Sequence, residues 1–179
     1  MVSMVILNRD GVINHDSDDY IKSVEEWKPI DGSIEAISRL KKAGYLVTVV
    51  SNQSGIGRGY FDLETLQQMH DKLAALLAQR GTELDGIYYC PHLPTDNCLC
   101  RKPKPGMMLQ IARDFKIDFK DSVLVGDSMI DIQMARLVGA KPVLVKTGKG
   151  LKTLDRYGPL EAVSVFDNLG KFVREFQKV

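Results

Sequence analysis

Short apolar runs alternate with apolar residues at helical spacing along most of the chain, and this alternation predicts the fold. The runs favour strands from Val5 and at 45–50, 86–89, 122–125, 142–145 and near Val165. The helical patterns follow Asp31 and Asp62 and occupy 106–115, 129–138 and 168–177. Repeated strand–helix alternation predicts an α/β protein with a doubly wound, Rossmann-like parallel sheet in three layers, forming one domain over residues 1–179.

Two of the predicted helices have a start signal in the sequence. Asp31 precedes apolar residues at Ile34, Ile37 and Leu40, and we expect it to cap the first helix. Asp62 is the expected cap of the second helix. His70 lies on this second helix, and we expect an ordinary surface or packing histidine, away from the candidate site.

The segment at 15–28 is polar, rich in Asp and Ser, and long for a connector. It follows the first predicted strand, and loops at the carboxyl ends of parallel strands commonly contact substrate. We interpret it as a possible flap. A solvated loop without a role is the alternative.

Composition narrows the function classes. The 179 residues are 44% hydrophobic and carry a net charge of +1, which is ordinary for a soluble globular protein. Nucleic-acid and anionic-membrane surfaces need a basic excess, so neither partner is expected. No apolar stretch approaches the roughly 20 residues that span a bilayer, and the N-terminus has no signal-peptide pattern. We expect a cytoplasmic protein with a small-molecule substrate. The absence of a separate cap domain favours a monomer.

Polar residues follow four successive predicted strands. In an open parallel sheet the carboxyl ends of the strands lie along one edge, so these side chains should meet there. Amide, hydroxyl and lysine groups donate to phosphate oxygens, and carboxylates bind hard divalent cations such as Mg²⁺. Each pair alone has an ordinary turn, cap or surface explanation, but all four in order favour one site. The pairs are Asn8 with Asp10, Ser51 with Asn52, Arg101 with Lys102, and Asp127 with Asp131.

The three cysteines of the chain lie close together, and a histidine lies among them. Cys90, His92, Cys98 and Cys100 form a C-x-H-x5-C-x-C pattern. Three thiolates and one imidazole complete a tetrahedral zinc shell without an open position, which predicts a structural zinc loop at 90–100. Metal-free thiols are the alternative. A zinc-knuckle nucleic-acid binder is a further class, but it lacks the basic excess and interleaved aromatics.

Four motifs together resemble those of the haloacid dehalogenase (HAD) superfamily of phosphatases. They are N-R-D-G-V at 8–12, S-N-Q at 51–53, R-K-P at 101–103 and G-D-S-M-I-D at 126–131. The resemblance covers nearly the whole chain and leaves no room for a large cap domain. It implies that position 8 holds the nucleophile and that Asp10 is the general acid and base. Ser51 and Lys102 would hold the transferring phosphoryl group, and Mg²⁺ would bind at position 8, the Asp10 carbonyl and Asp127.

The resemblance also implies a set of substrate-binding residues. Arg101 is the implied recognition residue, and Ser128 stands where some relatives have Lys, which leaves that contact open. The full set is Asn52, Gln53, Ser54, Arg101 and Ser128.

Within the superfamily, the segments around the cysteines and S-G-I-G-R-G at 54–59 resemble the D-glycero-D-manno-heptose 1,7-bisphosphate 7-phosphatases. Histidinol-phosphate phosphatase domains have a similar cysteine loop and are the alternative. The sequence does not distinguish the anomers of the heptose, and hence leaves open whether the product enters lipopolysaccharide core or a nucleotide-activated heptose.

Asn8 departs from the pattern of a working phosphatase at the nucleophile itself. An amide resembles a carboxylate in shape but is uncharged and a very poor nucleophile. We therefore expect the chain to bind substrate much better than it turns it over. The intact partner motifs favour an Asp-to-Asn change in an otherwise complete enzyme. A natural non-catalytic sugar-phosphate binding protein is the alternative.

Overall fold

The structure, a computed structural model, describes residues 4–177, so residues 1–3 and 178–179 of the predicted domain lie outside it. Six parallel strands form one sheet in the order β3-β2-β1-β4-β5-β6. Strand β1, which the sequence makes the first strand, is therefore central. The strands are β1 (Met4–Asn8), β2 (Leu46–Asn52), β3 (Gly86–Cys90), β4 (Ser122–Gly126), β5 (Lys141–Val145) and β6 (Ser164–Phe166).

Helices cover both faces of the sheet. They are α1 (Ser33–Lys42), α2 (Ser54–Gly57), α3 (Leu63–Ala78), α4 (Gly106–Phe115), α5 (Met129–Val138), α6 (Gly150–Tyr157) and α7 (Leu169–Phe176), with one 3₁₀ turn at Pro94–Asp96. The predicted three-layer α/β fold is confirmed, and residues 4–177 contain no large cap domain. None of the helices in this part of the chain is long and apolar enough to cross a membrane.

Strand β1 is buried on both sides because its residues alternate between two cores. Val5 and Leu7 join the core that α1, α3 and α7 close, whereas Met4 and Ile6 join the core that α4 and α5 close. All five residues of β1 are buried. This explains why β1 reads as a continuous apolar run rather than as an alternating one.

Several predicted boundaries change in the structure. The expected cap at Asp31 is wrong: Asp31 is exposed, and the cap of α1 is Gly32, in a left-handed conformation and without a side-chain cap. Glycine suits this position because φ is 79°. By contrast, Asp62 caps α3 by accepting a hydrogen bond from the Thr65 amide, as predicted.

Two helices were missed, and strand β2 is longer than expected. Glycines hid the short α2 and the start of α6, since glycine is a poor helix former. Strand β2 continues through Ser51 and Asn52, beyond the predicted end at residue 50. These two side chains therefore have the fixed orientation of a strand end.

The 15–28 segment is a loop closed at its base. The His15 amide donates to the Lys28 carbonyl at 2.9 Å, which joins the two ends. Trp27 is fully buried in the core, and Lys72 of α3 donates to the Val24 and Trp27 carbonyls at 2.8 and 2.7 Å. The loop is thus held by α3 at its base, which leaves its Asp- and Ser-rich part over the carboxyl edge of the sheet.

Candidate active site

The strand order reverses direction at β1, whose neighbours are β2 on one side and β4 on the other. Ligands of open α/β sheets bind at such a switch point, beyond the carboxyl ends of the strands. A cavity of about 280 Å³ lies there. Its lining comes from the ends of β1 and β2, the 15–28 loop, and the turns that follow the cysteine cluster, β4 and β5. The lining residues are Asn8, Asp10, Asp16, Ser17, Asp18, Tyr20, Ile21, Asn52, Gln53, Ser54, Arg101, Lys102, Asp127, Ser128, Ile130 and Lys149.

The Asn8 side chain lies at the centre of this site with four hydrogen-bond partners. Its Oδ1 accepts from the Arg9 amide at 2.9 Å and from Lys102 Nζ at 2.8 Å. Its Nδ2 donates to the Asp10 carbonyl at 2.8 Å and to Asp127 Oδ1 at 3.1 Å. The amide thus touches three of the groups that the sequence assigned to catalysis or metal binding.

Lys102 is almost fully buried, with 4% of its surface exposed. Its ammonium donates to Asn8 Oδ1 and, at 2.7 Å, to Asp131 Oδ1, with which it forms a buried ion pair. An ammonium has three hydrogens, so one remains for a ligand in the cavity. Asn52 fixes the main chain of this residue, since its side chain bonds both the amide and the carbonyl of Lys102.

Asp10 is held in one orientation by donors on both carboxylate oxygens. Oδ1 accepts from Arg9 Nε and Nη2 at 3.0 and 2.9 Å and from Asn14 Nδ2 at 2.8 Å. Oδ2 accepts from Gln53 Nε2 at 2.8 Å. Burial by itself raises the pKa of Asp10, but the Arg9 charge and these hydrogen bonds outweigh it and hold the pKa below its usual value.

The expectation for His70 needs correction, because this residue does not lie away from the site. Its Nε2 lies 3.4 Å from Arg9 Nη1, and Arg9 in turn holds Asp10. Burial, followed by the Arg9 charge, lowers the pKa of His70 to about 4. The ring is therefore neutral at pH 7. The 3.6-residue period of α3 places His70 on the same face as the buried Leu66 and Leu73, and this spacing was the available signal in the sequence.

Ser51 does not line the cavity. It is 1% exposed, and its Oγ accepts from Gln53 Nε2 at 2.7 Å. Gln53 thereby links Ser51 to Asp10. By contrast, all five predicted substrate-binding residues line the same cavity. They are Asn52, Gln53, Ser54, Arg101 and Ser128.

Asp127 occupies a crowded position opposite Asp10. Its Oδ2 accepts from the Lys149 amide at 2.8 Å, and a Cβ on Gly11 would collide with this same oxygen. Gly11 also has φ of 84°, so both space and backbone conformation call for glycine there. Burial and the nearby Asp131 charge raise the pKa of Asp127 to about 7.

Asp131, expected beside Asp127 as a cation-binding pair, lies behind the cavity wall. It is fully buried, and its Oδ2 accepts from the Asp127 and Ser128 amides and from Ser128 Oγ. With its other oxygen on Lys102, Asp131 organises the start of α5 and the ammonium together.

Sequence reasoning missed other residues of the site. Arg9 and Asn14 stand inside or beside a quoted motif, but strand alternation gave no reason to turn them toward Asp10. Lys149 comes from the glycine-rich loop before α6 and pairs with Asp16 across the cavity at 3.4 Å. A charged residue inside a glycine-rich loop at the carboxyl edge was the available signal.

The four predicted zinc ligands come together. One donor atom from each of Cys90, His92, Cys98 and Cys100 lies within 4.8 Å of all the others. The Sγ–Sγ separations are 3.2 to 3.5 Å, and His92 Nδ1 lies 3.2 Å from Cys100 Sγ. A tetrahedral zinc with bonds of about 2.3 Å places its sulfurs about 3.8 Å apart, slightly farther than these separations, and three thiols with one imidazole are donor types that zinc prefers. All three cysteines are free thiols.

The parallel Rossmann-like sheet and the polar groups of β1, β2, β4 and the Lys102 turn around one cavity agree with the predicted HAD superfamily, and relatives of the chain assign it to this class of phosphoric monoester hydrolases. Residues 99–172 match the family model described as HAD-hydrolase-like.

Relatives narrow the family. The chain is 53% identical over 174 residues to D-glycero-beta-D-manno-heptose-1,7-bisphosphate 7-phosphatase of Pseudomonas putida, covering 97% of this chain and 99% of the relative. It is 51% identical to the protein of the same name from Neisseria meningitidis serogroup A, covering 96% and 92%. The chain belongs to this family of heptose bisphosphate phosphatases.

A solved structure supports the same assignment. D,D-heptose 1,7-bisphosphate phosphatase from B. bronchiseptica, complexed with magnesium and phosphate, matches with a TM-score of 0.95 and 45% identity over 98% of each chain. The corresponding protein from Burkholderia thailandensis matches with a TM-score of 0.78 and 42% identity over 99% of each chain.

Proposed function

We propose that this site removes the 7-phosphate of D-glycero-D-manno-heptose 1,7-bisphosphate when position 8 carries Asp, and that with Asn8 it binds this substrate far better than it hydrolyses it. The observation that carries the proposal is the convergence of Asn8, Asp10 and Lys102 on one cavity in a chain whose relatives bear that name.

The phosphoryl group would lie between position 8 and Lys102. The ammonium is fixed by Asn8 and Asp131 and has one hydrogen left for a phosphoryl oxygen. Because Asn52 holds its main chain, the ammonium needs little reorganisation when charge develops on the phosphoryl group. Arg101 and Lys149 add positive charge to the walls for the rest of an anionic substrate.

Asp10 would move the proton in both halves of the reaction. With Asp at position 8, its oxygen attacks phosphorus and an aspartyl-phosphate forms, while Asp10 gives a proton to the leaving sugar oxygen. Asp10 then takes a proton from the water that hydrolyses the intermediate. The Arg9 and Gln53 donors favour its ionised form, which suits this second step. A bound phosphate shifts the pKa of Asp10 upward through like charge, which suits the first.

With Asp at position 8, the proposed enzyme would hold two metals. Mg²⁺ would bind position 8, the Asp10 carbonyl and Asp127, where it would neutralise charge on the phosphoryl oxygens. The Asp10 carbonyl and Asp127 Oδ1 converge on one point, as such a site requires, and a relative was crystallised with magnesium and phosphate. Zinc would bind the four-residue cluster in a structural role, directly before Arg101 and Lys102.

The decisive experiment measures phosphate release by this chain and by Asn8→Asp. Loss of a covalent nucleophile costs several orders of magnitude in turnover, so Asn8→Asp should be faster by at least about 10³-fold. Substrates are the two anomers of heptose 1,7-bisphosphate and histidinol phosphate, compared by kcat/KM. Release of only the 7-phosphate supports the proposal.

Two outcomes would contradict the proposed function and favour one of the alternatives. Preference of Asn8→Asp for histidinol phosphate would move the chain to that specificity. No activity of Asn8→Asp on any of the three, with retained binding of heptose bisphosphate, would favour the non-catalytic sugar-phosphate binder.

For partners, the net charge of +1 supports a small-molecule substrate rather than nucleic acid or a membrane surface. The monomeric state and the cytoplasmic location stay predictions of the sequence. Light scattering coupled to size exclusion tests the first.

A further inference from the structure

We propose that the Asn8 amide nitrogen takes the position of the divalent cation in this chain, so that the site is assembled without Mg²⁺ and binds it only weakly. The inference deepens the proposed function and rests on it for the identity of the cation. It concerns binding alone and can be tested without substrate.

The orientation of the amide is fixed by its oxygen. Oδ1 accepts from the Lys102 ammonium and from the Arg9 backbone amide, both of which are donors only. Turning the amide over would place an NH2 group against an NH3⁺ group and a backbone N–H. The nitrogen must therefore point the other way.

The two hydrogens of Nδ2 meet two acceptors that would otherwise be cation ligands. They point to the Asp10 carbonyl at 2.8 Å and to Asp127 Oδ1 at 3.1 Å. A cation between these oxygens would have to displace the amide nitrogen. It would then lack an oxygen at position 8, because Oδ1 is engaged on the other side by Lys102.

Charge acts in the same direction. Asp127 and Asp131 are buried together, with Lys102 as the buried cation that pairs with Asp131. An Asp at position 8 would add a third carboxylate and remove the donor to Asp127. Repulsion among these carboxylates is what a bound divalent cation relieves. Asn8 removes both the extra charge and the need for the ion.

The test compares Mg²⁺ binding by calorimetry and by thermal unfolding in this chain, in Asn8→Asp and in Asn168→Asp. Asn168 caps α7 by accepting from the Lys171 amide, far along the chain from this site, and Asp caps equally well. It is therefore a matched amide-to-carboxylate control. Proteins are exchanged into Mg²⁺-free buffer without chelator, so that any metal at the cysteine cluster stays bound.

We expect Mg²⁺ at roughly 5 mM to raise the Tm of Asn8→Asp and to leave the other two unchanged, with affinity for Mg²⁺ at least about tenfold higher in Asn8→Asp. Equal affinities in this chain and Asn8→Asp would overturn the inference. So would tight, saturable Mg²⁺ binding by this chain itself, a measurement that holds even if Asn8→Asp folds poorly.

The outcome is independent of the proposed activity. An Asn8→Asp protein that binds Mg²⁺ but hydrolyses none of the three substrates would sink the proposed function and keep this inference. An active Asn8→Asp protein with no gain in Mg²⁺ affinity would do the reverse.

Discussion

At the scale of single residues, the site depends on Arg9, a fully buried guanidinium whose charge is matched by Asp10. Nε and Nη2 both contact Asp10 Oδ1, and Nη1 faces His70. Removing one member of a buried pair leaves the other charge without compensation. Arg9 therefore orients Asp10 and at the same time brings a buried positive charge next to His70.

We predict that Arg9→Met lowers the free energy of unfolding by about 3 kcal/mol, because Asp10 loses two donors and its nearest positive charge. Urea unfolding measures the loss. Arg113→Met, at an exposed position on α4, is the control and should change stability by less than about 0.5 kcal/mol. Equal losses in the two variants would contradict the role of Arg9.

His70 makes stability depend on pH. Its pKa is lowered to about 4 in the folded chain from 6.5, so the unfolded chain binds a proton between these values and the folded chain does not. Stability from this residue is complete above pH 6.5 and falls as the pH drops toward 4.

His70→Gln, which keeps an acceptor for Arg9 but does not titrate, should lose less stability on acidification. Between pH 7 and pH 5 the difference between the chain and this variant should shift by about 2 kcal/mol in favour of the variant. Urea unfolding at the two pH values measures it. A constant difference would show that His70 stays charged or exposed.

At the scale of elements, the loop at 90–100, which contains the Cys/His cluster, leads directly to Arg101 and Lys102 in the cavity. Its ends are tied to neighbours: the Gln53 amide donates to the Cys90 carbonyl at 2.7 Å, and the Gly106 amide to the Leu99 carbonyl at 2.9 Å. The four side chains predicted to bind zinc come together between these bonds.

We predict one zinc per chain, lost in Cys98→Ser, together with weaker binding of phosphate at the cavity because Lys102 is less well positioned. Metal analysis and phosphate titration measure the two effects. Asp96→Asn is the control, since its side chain accepts from the Leu93 amide in the same loop but is not a ligand. Full zinc content in Cys98→Ser would refute the ligand set.

The 15–28 loop depends on α3 in a comparable way. Lys72→Met frees the Val24 and Trp27 carbonyls and should speed amide hydrogen exchange in 20–28, while exchange in β4 stays slow. Lys171→Met, which removes an exposed pair with Glu175, is the control. Unchanged exchange in the loop would mean that the buried Trp27 and the His15–Lys28 hydrogen bond hold it without Lys72.

At the scale of the whole molecule, apolar patterning was sufficient for the sheet and the major helices, because strands such as β1 and β4 are themselves continuous runs of buried residues. It also located the site, since the carboxyl edge of a parallel sheet follows from strand order alone. The apolar pattern did not predict caps and side-chain orientations that depend on the folded structure.

Particular residues show the limit. Gly32 rather than Asp31 caps α1 because the backbone there is left-handed, with φ of 79°. Ser51 is turned away from the cavity, and its Oγ accepts from Gln53 Nε2. Arg9 could not be assigned from its place in a motif, as its partner His70 comes from α3. Sequence spacing indicates which side chains can lie near one another, but not which of them form hydrogen bonds or ion pairs.

The central position of β1 also bears on biosynthesis. Met4 pairs with Leu46 on one side and with Ser122 on the other, so β1 is synthesised more than 100 residues before the strand that covers its second edge. Domains generally fold as units during synthesis, at about 5–20 residues per second. In a nascent chain that has not reached β4, the edge of β1 from Met4 to Leu7 that pairs with β4 is uncovered.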